Sequence, residues 1–422
     1  MKQIQGGVTA PKGFVAGGVR CGVKQSKGEG NQPLLGNMSV SDYLSGKKDL
    51  AMILSERECT AAATYTMNRV KAAPLYVTME HLEDGAAWGI IANSGNANAC
   101  APMGHENAQA MCQFAADATG RKPGDFVVAS TGVIGQTLNI AAIERGVPVL
   151  AGQLSADGSD AAAHAIMTTD TEKKEIAVTC SVGGKTVTIG AIAKGSGMIH
   201  PNMGTMLCFI TTDCAITHEM LTDALHEIVP RTFNRVTVDG DTSTNDMCVV
   251  LANGMAENPL IEWKDDGYTV FSKALHQVCE HLARSIAGDG EGASRLVTCR
   301  VHEARSEESA ERLAKAVVGS PLVKAAMFGA DANWGRVLCA MGYSKAPFRP
   351  EYVDVKFQSA VGEIQVCRQG AGVDFDEPTA KSILSQDEVV IDVCLHEGEH
   401  EATCWGCDLT YDYVKINGDY RT

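Results

Sequence analysis

A single threonine, Thr205, joins a glycine-spaced loop to an apolar run in residues 194–214, KGSGMIHPNMGTMLCFITTDC. Attack of its hydroxyl on the carbonyl of Gly204 would turn an amide into an ester, and water would then release a new N-terminal threonine. A free α-amine has a pKa of about 7.7–8.0, so it can act as the base for the hydroxyl of the same residue. A Gly-Thr pair can equally begin an ordinary strand, and its spacing alone does not decide between the two.

Two further segments suggest other chemistry. SVGGKT (181–186) ends like a phosphate-binding loop, but the first glycine of that pattern would fall at Thr179 and the segment continues as a strand, so we expect no nucleotide site. The aspartates of DGDTSTND, Asp239, Asp241 and Asp246, lack the downstream glutamate of a calcium loop. We interpret them as polar scaffolding.

The segment HEGEH (396–400) has the spacing of a zinc-protease motif, and Cys404 and Cys407 follow it with CxxC spacing. The zinc motif needs a helix that brings both histidines to one face. Gly398 instead lies between two β-rich runs, which favours a solvated hairpin turn. The βαβ context of a redox CxxC pair is also missing, so we expect strand cysteines and no metal.

Composition limits the partners of the chain. Its 422 residues carry a formal net charge of −15, whereas nucleic acids and anionic membranes require clustered lysine and arginine. No run approaches the roughly 18 apolar residues that cross a bilayer, and the start lacks an apolar signal segment. The 15 cysteines lie in apolar surroundings, as expected for core residues in a reducing compartment. We therefore expect a cytoplasmic protein that acts on small molecules, without nucleic-acid or membrane partners.

Short β-rich runs alternate with helical patterns and would position these residues. Strands are predicted at 125–130, 185–193 and 206–213, and helices at 106–119 and at 306–318, which opens with the capping residue Ser306. Later strands are predicted at YVDVKFQ, EIQVCR, EVVIDVCLH and YDYVKI. This pattern predicts an α/β protein with layers and mixed sheets.

The segment KGSGMIHPNMGTMLCFITTD resembles the self-cleavage segment of the ornithine acetyltransferase (glutamate N-acetyltransferase) family of arginine biosynthesis. The resemblance extends over the whole chain, through stretches at 6–19, 93–100, 130–135, 166–171, 239–246, 288–294, 329–337 and 405–422. The family usually has alanine at the positions of Gly204 and Gly418. It implies a layered αββα fold with an N-terminal threonine nucleophile.

The resemblance implies a specific reaction. N-acetyl-L-ornithine would give its acetyl group to Thr205, ornithine would leave, and L-glutamate would take the acetyl group, with no cofactor. Self-cleavage between Gly204 and Thr205 would produce an α chain (1–204) and a β chain (205–422), paired as a heterotetramer of two α and two β chains. Acetyl-CoA as a second donor stays open, because the chain has no nucleotide-binding signature.

The resemblance also assigns an oxyanion hole. The Thr131 hydroxyl and the Gly132 N–H, in a glycine turn after the strand DFVVAS, match the family's donors to the tetrahedral oxyanion. Without the resemblance, STGVIG would be only a strand-to-helix turn. Lys194, eleven residues before the nucleophile, matches a substrate-binding lysine whose charge suits an α-carboxylate.

Four further positions match the family's substrate contacts. They are Thr168, Glu291, Asn417 and Thr422, and Thr169 is an equal candidate beside Thr168. The glycines around Glu291 would let the backbone approach a ligand. The alternatives for these residues are a strand-end threonine, a turn glutamate and a frayed tail.

Two other classes of protein remain as alternatives. A self-processing amidase or aminopeptidase would hydrolyse the acyl-enzyme instead of transferring its acyl group. A non-catalytic protein built around HEGEH and CWGC would bind zinc as one intact chain.

Overall fold

The computed structural model describes residues 1–24, 38–200 and 206–419. Its strands are β1 Lys2–Ile4, β2 Phe14–Val19, β3 Leu50–Tyr65, β4 Ala86–Asn96, β5 Phe126–Val133, β6 Lys174–Val182, β7 Lys185–Lys194, β8 Leu207–Thr212, β9 Met247–Ala252, β10 Leu296–Ala304, β11 Asp354–Ser359, β12 Gly362–Arg368, β13 Ala371–Gly372, β14 Glu388–Cys394 and β15 His400–Cys407. Its α-helices are α1 Val40–Leu44, α2 Ala73–His81, α3 Gly104–Thr119, α4 Ile140–Ala151, α5 Ser159–Ile166, α6 His218–Ile228, α7 Asp266–Gly288, α8 Glu307–Gly319, α9 Pro321–Phe328, α10 Trp334–Tyr343, α11 Glu377–Leu384 and α12 Tyr411–Asp419. None of the helices in these ranges combines the length and the apolar character needed to cross a membrane.

The larger mixed sheet folds back on itself at the long strand β3. Its strand order is β1-β6-β7-β8-β9-β3-β4-β5, and β2 also pairs with β3. Strand β4 pairs with Leu50–Leu54 of β3 and, after an irregularity, with Cys59 and Thr60, whereas β9 pairs with Thr60–Tyr65. Ile53 on one half of the sheet therefore shares a buried core with Phe209 and Val249 on the other.

Alternating side chains place helices on the outer faces of both halves. Phe209 on β8 and Val249 on β9 face inward, so the adjacent residues Cys208 and Val250 face the other side of the sheet. There they share a second core with α6 and α7. Met52 on β3 and Val128 on β5 pack against α3 and α4 on the opposite side. The layer order is helix, sheet, sheet, helix, which confirms the predicted αββα architecture with mixed sheets.

A smaller mixed sheet has its own core. Its strand order is β13-β12-β11-β14-β10-β15, with β10 and β14 parallel and the other neighbours antiparallel. Helices α8, α10 and α11 contribute to this core, while α7 contacts β10 and β15 and so links the sheet to the larger one. Along the chain, helix α12 follows the strand β15 of this sheet.

Strand β8 joins the predicted α and β chains within one sheet. It begins at Leu207, pairs antiparallel with β7 and parallel with β9, and is buried along its whole length. The strands before residue 204 and those after residue 205 therefore share the larger sheet. The two fragments are interleaved parts of one fold, which cleavage would not separate.

Some local sequence signals are confirmed by these elements, and others fail. Ser306 caps α8 by accepting a hydrogen bond from the backbone N–H of Ser309 at 3.1 Å, as predicted. The segment SVGGKT forms the β6–β7 hairpin, with Gly183 and Gly184 both at positive φ. The predicted strand YDYVKI is wrong, because it forms the exposed helix α12.

Candidate active site

A cleft lies where β5, β7 and β8 meet the segment that leads into β9. It is lined by Thr131, Lys194, Gly197, Met198, Ile199, Met206, Leu207, Ser243, Asn245 and Asp246. The chain thus lines the cleft on both sides of the predicted cleavage junction, at Ile199 before it and at Met206 after it. Gly204 and Thr205 lie outside the described residues.

Thr131 and Gly132 lie in the last part of β5, where it pairs in parallel with β4. The pairing is irregular at Gly95 and Asn96. Gly132 has φ +130°, and a Cβ there would lie 2.3 Å from the carbonyl carbon of Gly95, so only glycine fits. The predicted turn after DFVVAS is therefore wrong, because the strand continues through an irregular end and brings Thr131 to the cleft.

Asn245 holds this strand end in place. Its Nδ2 donates to the carbonyl of Ala97 at 2.6 Å and to the carbonyl of Ser130 at 2.8 Å, and its Oδ1 accepts from the Thr244 hydroxyl at 2.6 Å. Asn245 therefore fixes the peptide that precedes Thr131. Asn245 was not among the predicted site residues, although it lies in the family-like segment DGDTSTND.

Asp239 anchors the loop that leads to the junction. Its carboxylate accepts from the N–H groups of Met198 at 2.6 Å and of Ile199 at 2.9 Å. Thr242 donates its hydroxyl to the carbonyl of His200 at 2.8 Å. Burial raises the pKa of Asp239, against the backbone N–H groups that favour its charged form. This is the scaffolding expected of DGDTSTND.

Lys194 brings a buried positive charge to the cleft from the end of β7. Burial lowers its pKa, while the carboxylates of Asp170, Asp246 and Glu291 act in the opposite direction and stabilise the ammonium.

Asp170 connects two loops beside the cleft. It accepts from Gly195 N–H at 2.7 Å, from Lys174 Nζ at 2.8 Å and from Thr168 N–H at 2.9 Å. Lys174 Nζ also reaches Asp289 at 2.5 Å. Although burial acts to raise the pKa of Asp170, Lys194 and Lys174 together lower it well below its usual range. The predicted residue Thr168 is thus linked through Asp170 to Gly195, which follows Lys194. Asp170 was not among the predicted site residues.

Glu291 lies directly against the cleft-lining residue Gly197. A Cβ on Gly197 would lie 2.3 Å from Glu291 Cδ, so glycine is needed for this approach. The Asn417 side chain donates to Glu291 Oε2 at 2.7 Å, which links α12 to the site. The expectation that glycine beside Glu291 admits a ligand is wrong for Gly292, since a Cβ there would lie 2.6 Å from the backbone nitrogen of Tyr413. Thr422 lies outside the described residues.

Asp246 is an acidic residue of the cleft lining. It is buried, and its Oδ2 is among the buried side-chain atoms without a hydrogen-bond partner in the described part of the chain. Burial raises the pKa of Asp246 well above its usual range, against the Ser243 hydroxyl and the Lys194 charge. The cleft lining thus combines the Lys194 amine, the Thr131 hydroxyl and the Asp246 carboxyl group.

The HEGEH segment lies far from this arrangement in the fold. Strands β14 and β15 flank β10 and do not pair with each other, so residues 395–399 form a crossover and the predicted hairpin turn is wrong. His400 begins β15 opposite Ala304, and Cys404 and Cys407 are buried in the same strand. No helix brings His396 and His400 to one face, because both positions belong to this crossover and strand.

Comparisons with known proteins cover almost the entire chain. The ArgJ family model matches residues 38–422. An arginine biosynthesis bifunctional protein ArgJ from Symbiobacterium thermophilum is 51% identical over 423 residues, which cover 100% of both chains. A crystal structure of the protein of that name from Bacillus halodurans is 47% identical with a TM-score of 0.48, covering 50% of this chain and 98% of that one. An ornithine acetyltransferase from Mycobacterium tuberculosis, complexed with ornithine, is 32% identical with a TM-score of 0.38, covering 48% and 96%.

Proposed function

The chain belongs to the ArgJ family, and on that premise we propose that it transfers the acetyl group of N-acetyl-L-ornithine to L-glutamate in arginine biosynthesis. The acetyl group is carried by Thr205, which self-cleavage after Gly204 converts into an N-terminal nucleophile. The products of that cleavage are the α chain 1–204 and the β chain 205–422. No cofactor takes part.

One observation carries this proposal. The chain on both sides of the Gly204–Thr205 junction, at Ile199 and Met206, lines the same cleft as Thr131 and Lys194. Met206 immediately follows the nucleophile, and its carbonyl accepts from Met247 N–H at 2.9 Å at the start of the β8–β9 pairing. Cleavage would therefore leave the new chain end attached to a buried central strand.

The cleft supplies the groups that acyl transfer requires. Thr205 attacks the acetyl carbonyl while its own α-amine takes the hydroxyl proton. We assign the Thr131 hydroxyl and the Gly132 N–H as donors to the oxyanion that develops at the carbonyl oxygen. The proton returns to the departing amine of ornithine, and the same steps run in reverse when the amine of glutamate attacks the acetyl-enzyme.

Donor and acceptor share an α-carboxylate, so one subsite can serve both. Lys194 is the cation that we assign to the carboxylate. Glu291, held by Asn417, is the anion that we assign to an ammonium group of the substrate. Thr168 and Thr422 complete the proposed contacts, with Thr169 as the alternative to Thr168. Using one subsite twice requires ornithine to leave before glutamate binds.

Three finer features belong to the same proposal. The name of the Symbiobacterium relative, a bifunctional protein, supports acetyl-CoA as a second acetyl donor for N-acetylglutamate synthesis. The ornithine complex of the Mycobacterium enzyme supports ornithine binding in this chain. We further propose a heterotetramer of two α and two β chains in the cytoplasm.

The test separates transfer from hydrolysis. Purified protein is given N-acetylornithine with and without glutamate, and free acetate and N-acetylglutamate are measured by mass spectrometry. We expect N-acetylglutamate to form in step with ornithine, with initial rates that follow a ping-pong pattern. Release of acetate at the same rate with or without glutamate would assign an amidase instead. A parallel reaction with acetyl-CoA as the donor tests the second activity.

A further inference from the structure

A cluster of potential metal ligands lies at one end of the smaller sheet, apart from the cleft. His302 and Glu303 near the end of β10 and Cys394 at the end of β14 offer one ligand atom each, and these atoms lie within 4.8 Å of one another. His302 and Cys394 are direct register partners in the parallel β10–β14 pair. The cluster is partly exposed, so an ion can reach it from solvent.

His396 adds a fourth potential ligand from the crossover after β14. Its Nδ1 lies 3.4 Å from Cys394 Sγ and 3.0 Å from Glu303 Oε2. In a tetrahedral zinc site, the bond lengths place sulfur and nitrogen ligands about 3.6 Å apart, and nitrogen and oxygen ligands about 3.4 Å apart. The two distances from His396 Nδ1 therefore need to change by only a few tenths of an ångström.

Carboxylates support both histidines from outside the cluster. His396 Nε2 lies 3.1 Å from Asp354 Oδ2, so Nδ1 is the nitrogen left to face the cluster. His302 Nε2 lies 3.4 Å from Asp392 Oδ2. Histidine ligands of zinc usually donate their second ring N–H to a carboxylate, which fixes the tautomer and the orientation of the ring. The surroundings thus match those of a built metal site.

The backbone holds two of these residues in an unusual conformation. Glu303 has φ 55° and His396 has φ 53°, both in the left-handed region that non-glycine residues rarely adopt. The β10–β15 pairing is irregular between Val301 and Ala304, which includes Glu303. Glu397 N–H donates to the carbonyl of Glu303 at 2.8 Å and so ties the crossover to β10. This geometry turns the Glu303 and His396 side chains toward each other.

We propose that Cys394, His396, His302 and Glu303 bind one zinc ion, which clamps the ends of β10 and β14 to the crossover. Four protein ligands that include a thiolate are typical of a structural zinc site. Binding displaces the thiol proton of Cys394 and the proton between His396 and Glu303, and both protons pass to solvent. The competing account is an ion-pair network of His396 with Glu303 and Asp354 that needs no metal.

This site differs from the one that the HEGEH spacing suggests. It uses His396, but not the second histidine, His400, which lies in β15. It also leaves out Cys404 and Cys407. The proposal is independent of the proposed acetyl transfer, since none of its ligands lines the cleft.

The test uses Co²⁺ and Zn²⁺ added to purified, chelator-treated protein. We expect one equivalent of Co²⁺ to give the visible spectrum of a tetrahedral site with a thiolate charge-transfer band. Cys394→Ser should abolish that band. Asp354→Asn keeps all four ligands and should weaken Zn²⁺ affinity by about 10- to 100-fold with the band retained.

Two matched variants serve as controls. Cys339→Ser removes an exposed cysteine on α10, and His400→Asn removes the second histidine of the motif, so both should bind Co²⁺ as the unchanged chain does. Zn²⁺ should also raise the melting temperature of the unchanged chain and not that of Cys394→Ser. Failure to bind a stoichiometric ion, a charge-transfer band that survives Cys394→Ser, or loss of binding in His400→Asn would overturn the proposal.

Discussion

Two adjacent lysines take part in ion pairs of very different kinds. Lys173 contacts Asp160 at 2.7 Å, and these side chains are 35% and 60% exposed. Lys174 contacts Asp170 at 2.8 Å, and these side chains are 2% and 0% exposed. Almost the same distance therefore occurs once at the surface and once in the interior, beside the cleft.

The difference lies in what happens when one partner is lost. An exposed pair is screened by water and typically contributes 0–1 kcal/mol, whereas removing one partner of a buried pair leaves an uncompensated charge. Asp170 also accepts from Gly195, the residue after Lys194, so the buried pair holds the cleft as well as the fold. Lys173 instead contacts Asp160 and Glu175, neither of which is among the described residues that line the cleft.

The largest expected effect comes from breaking the buried pair. Asp170→Asn should lower the free energy of unfolding by about 3–5 kcal/mol, because Lys174 and Lys194 lose a buried counter-charge. Asp160→Asn, the matched change at the surface, should cost less than about 1 kcal/mol. Denaturant unfolding of the two variants measures both values. Equal losses would mean that burial does not distinguish the two pairs.

The pH dependence of the free energy of unfolding tests the role of the buried Asp170 pair in a second way. Because the pKa of Asp170 is lowered in the folded state, its stabilising contribution is fully present above the unfolded pKa of about 3.9. That contribution should be lost as the pH falls below 3.9 toward the lower folded pKa. Unfolding measured from pH 6 downward should therefore show a steeper loss in the unchanged chain than in Asp170→Asn. Parallel curves would contradict this account.

The next effect concerns catalysis. Lys194→Met keeps a long side chain but removes the charge that we assign to the substrate carboxylate, so kcat/KM for N-acetylornithine should fall about 10- to 100-fold. Lys173→Met, in the surface pair, should leave kcat/KM unchanged. Steady-state kinetics with N-acetylornithine measure kcat/KM for both variants. An unaffected Lys194→Met enzyme would remove Lys194 from the proposed site.

The smallest effect on catalysis should come from losing the hydrogen bond between Asn417 on α12 and Glu291 beside the cleft. Asn417→Ala removes a partly exposed hydrogen bond to Glu291, so we expect kcat/KM to fall about fivefold. Lys415→Ala, on the same exposed helix, is the control and should have no effect. If the two variants behave alike, α12 has only a packing role.

The sequence predicted most of the layers because their signals are local. The β-rich runs of β7 and β8 and the cap at Ser306 each depend on a few neighbouring residues. The helix α12 was predicted as a strand because aromatic and β-branched residues favour strands. Its environment favours a helix instead: none of the described strands pairs with this segment, and Asn417 connects it to Glu291.

The site was only partly predictable for a different reason. Thr131, Lys194, Glu291 and Asn417 entered through family resemblance. Thr131 and Lys194 line the cleft, Glu291 lies against the lining residue Gly197, and Asn417 reaches only Glu291. Asn245 was missed because its partners Ala97 and Ser130 are distant in the chain. Asp170 was missed because its link to the cleft is a hydrogen bond from Gly195 on another loop. Such contacts leave no periodic pattern in a single sequence.

The central claim is that Thr205 becomes an N-terminal nucleophile that carries the acetyl group. The most direct measurement is intact-mass analysis of the purified protein after incubation with N-acetylornithine and no glutamate, with Thr205→Ala as the control. We predict two chains, the second beginning at Thr205 and heavier by one acetyl group that peptide mapping places on Thr205, while Thr205→Ala stays one unmodified chain. A single uncleaved chain with full transferase activity, or an acetyl group on another residue, would contradict the account.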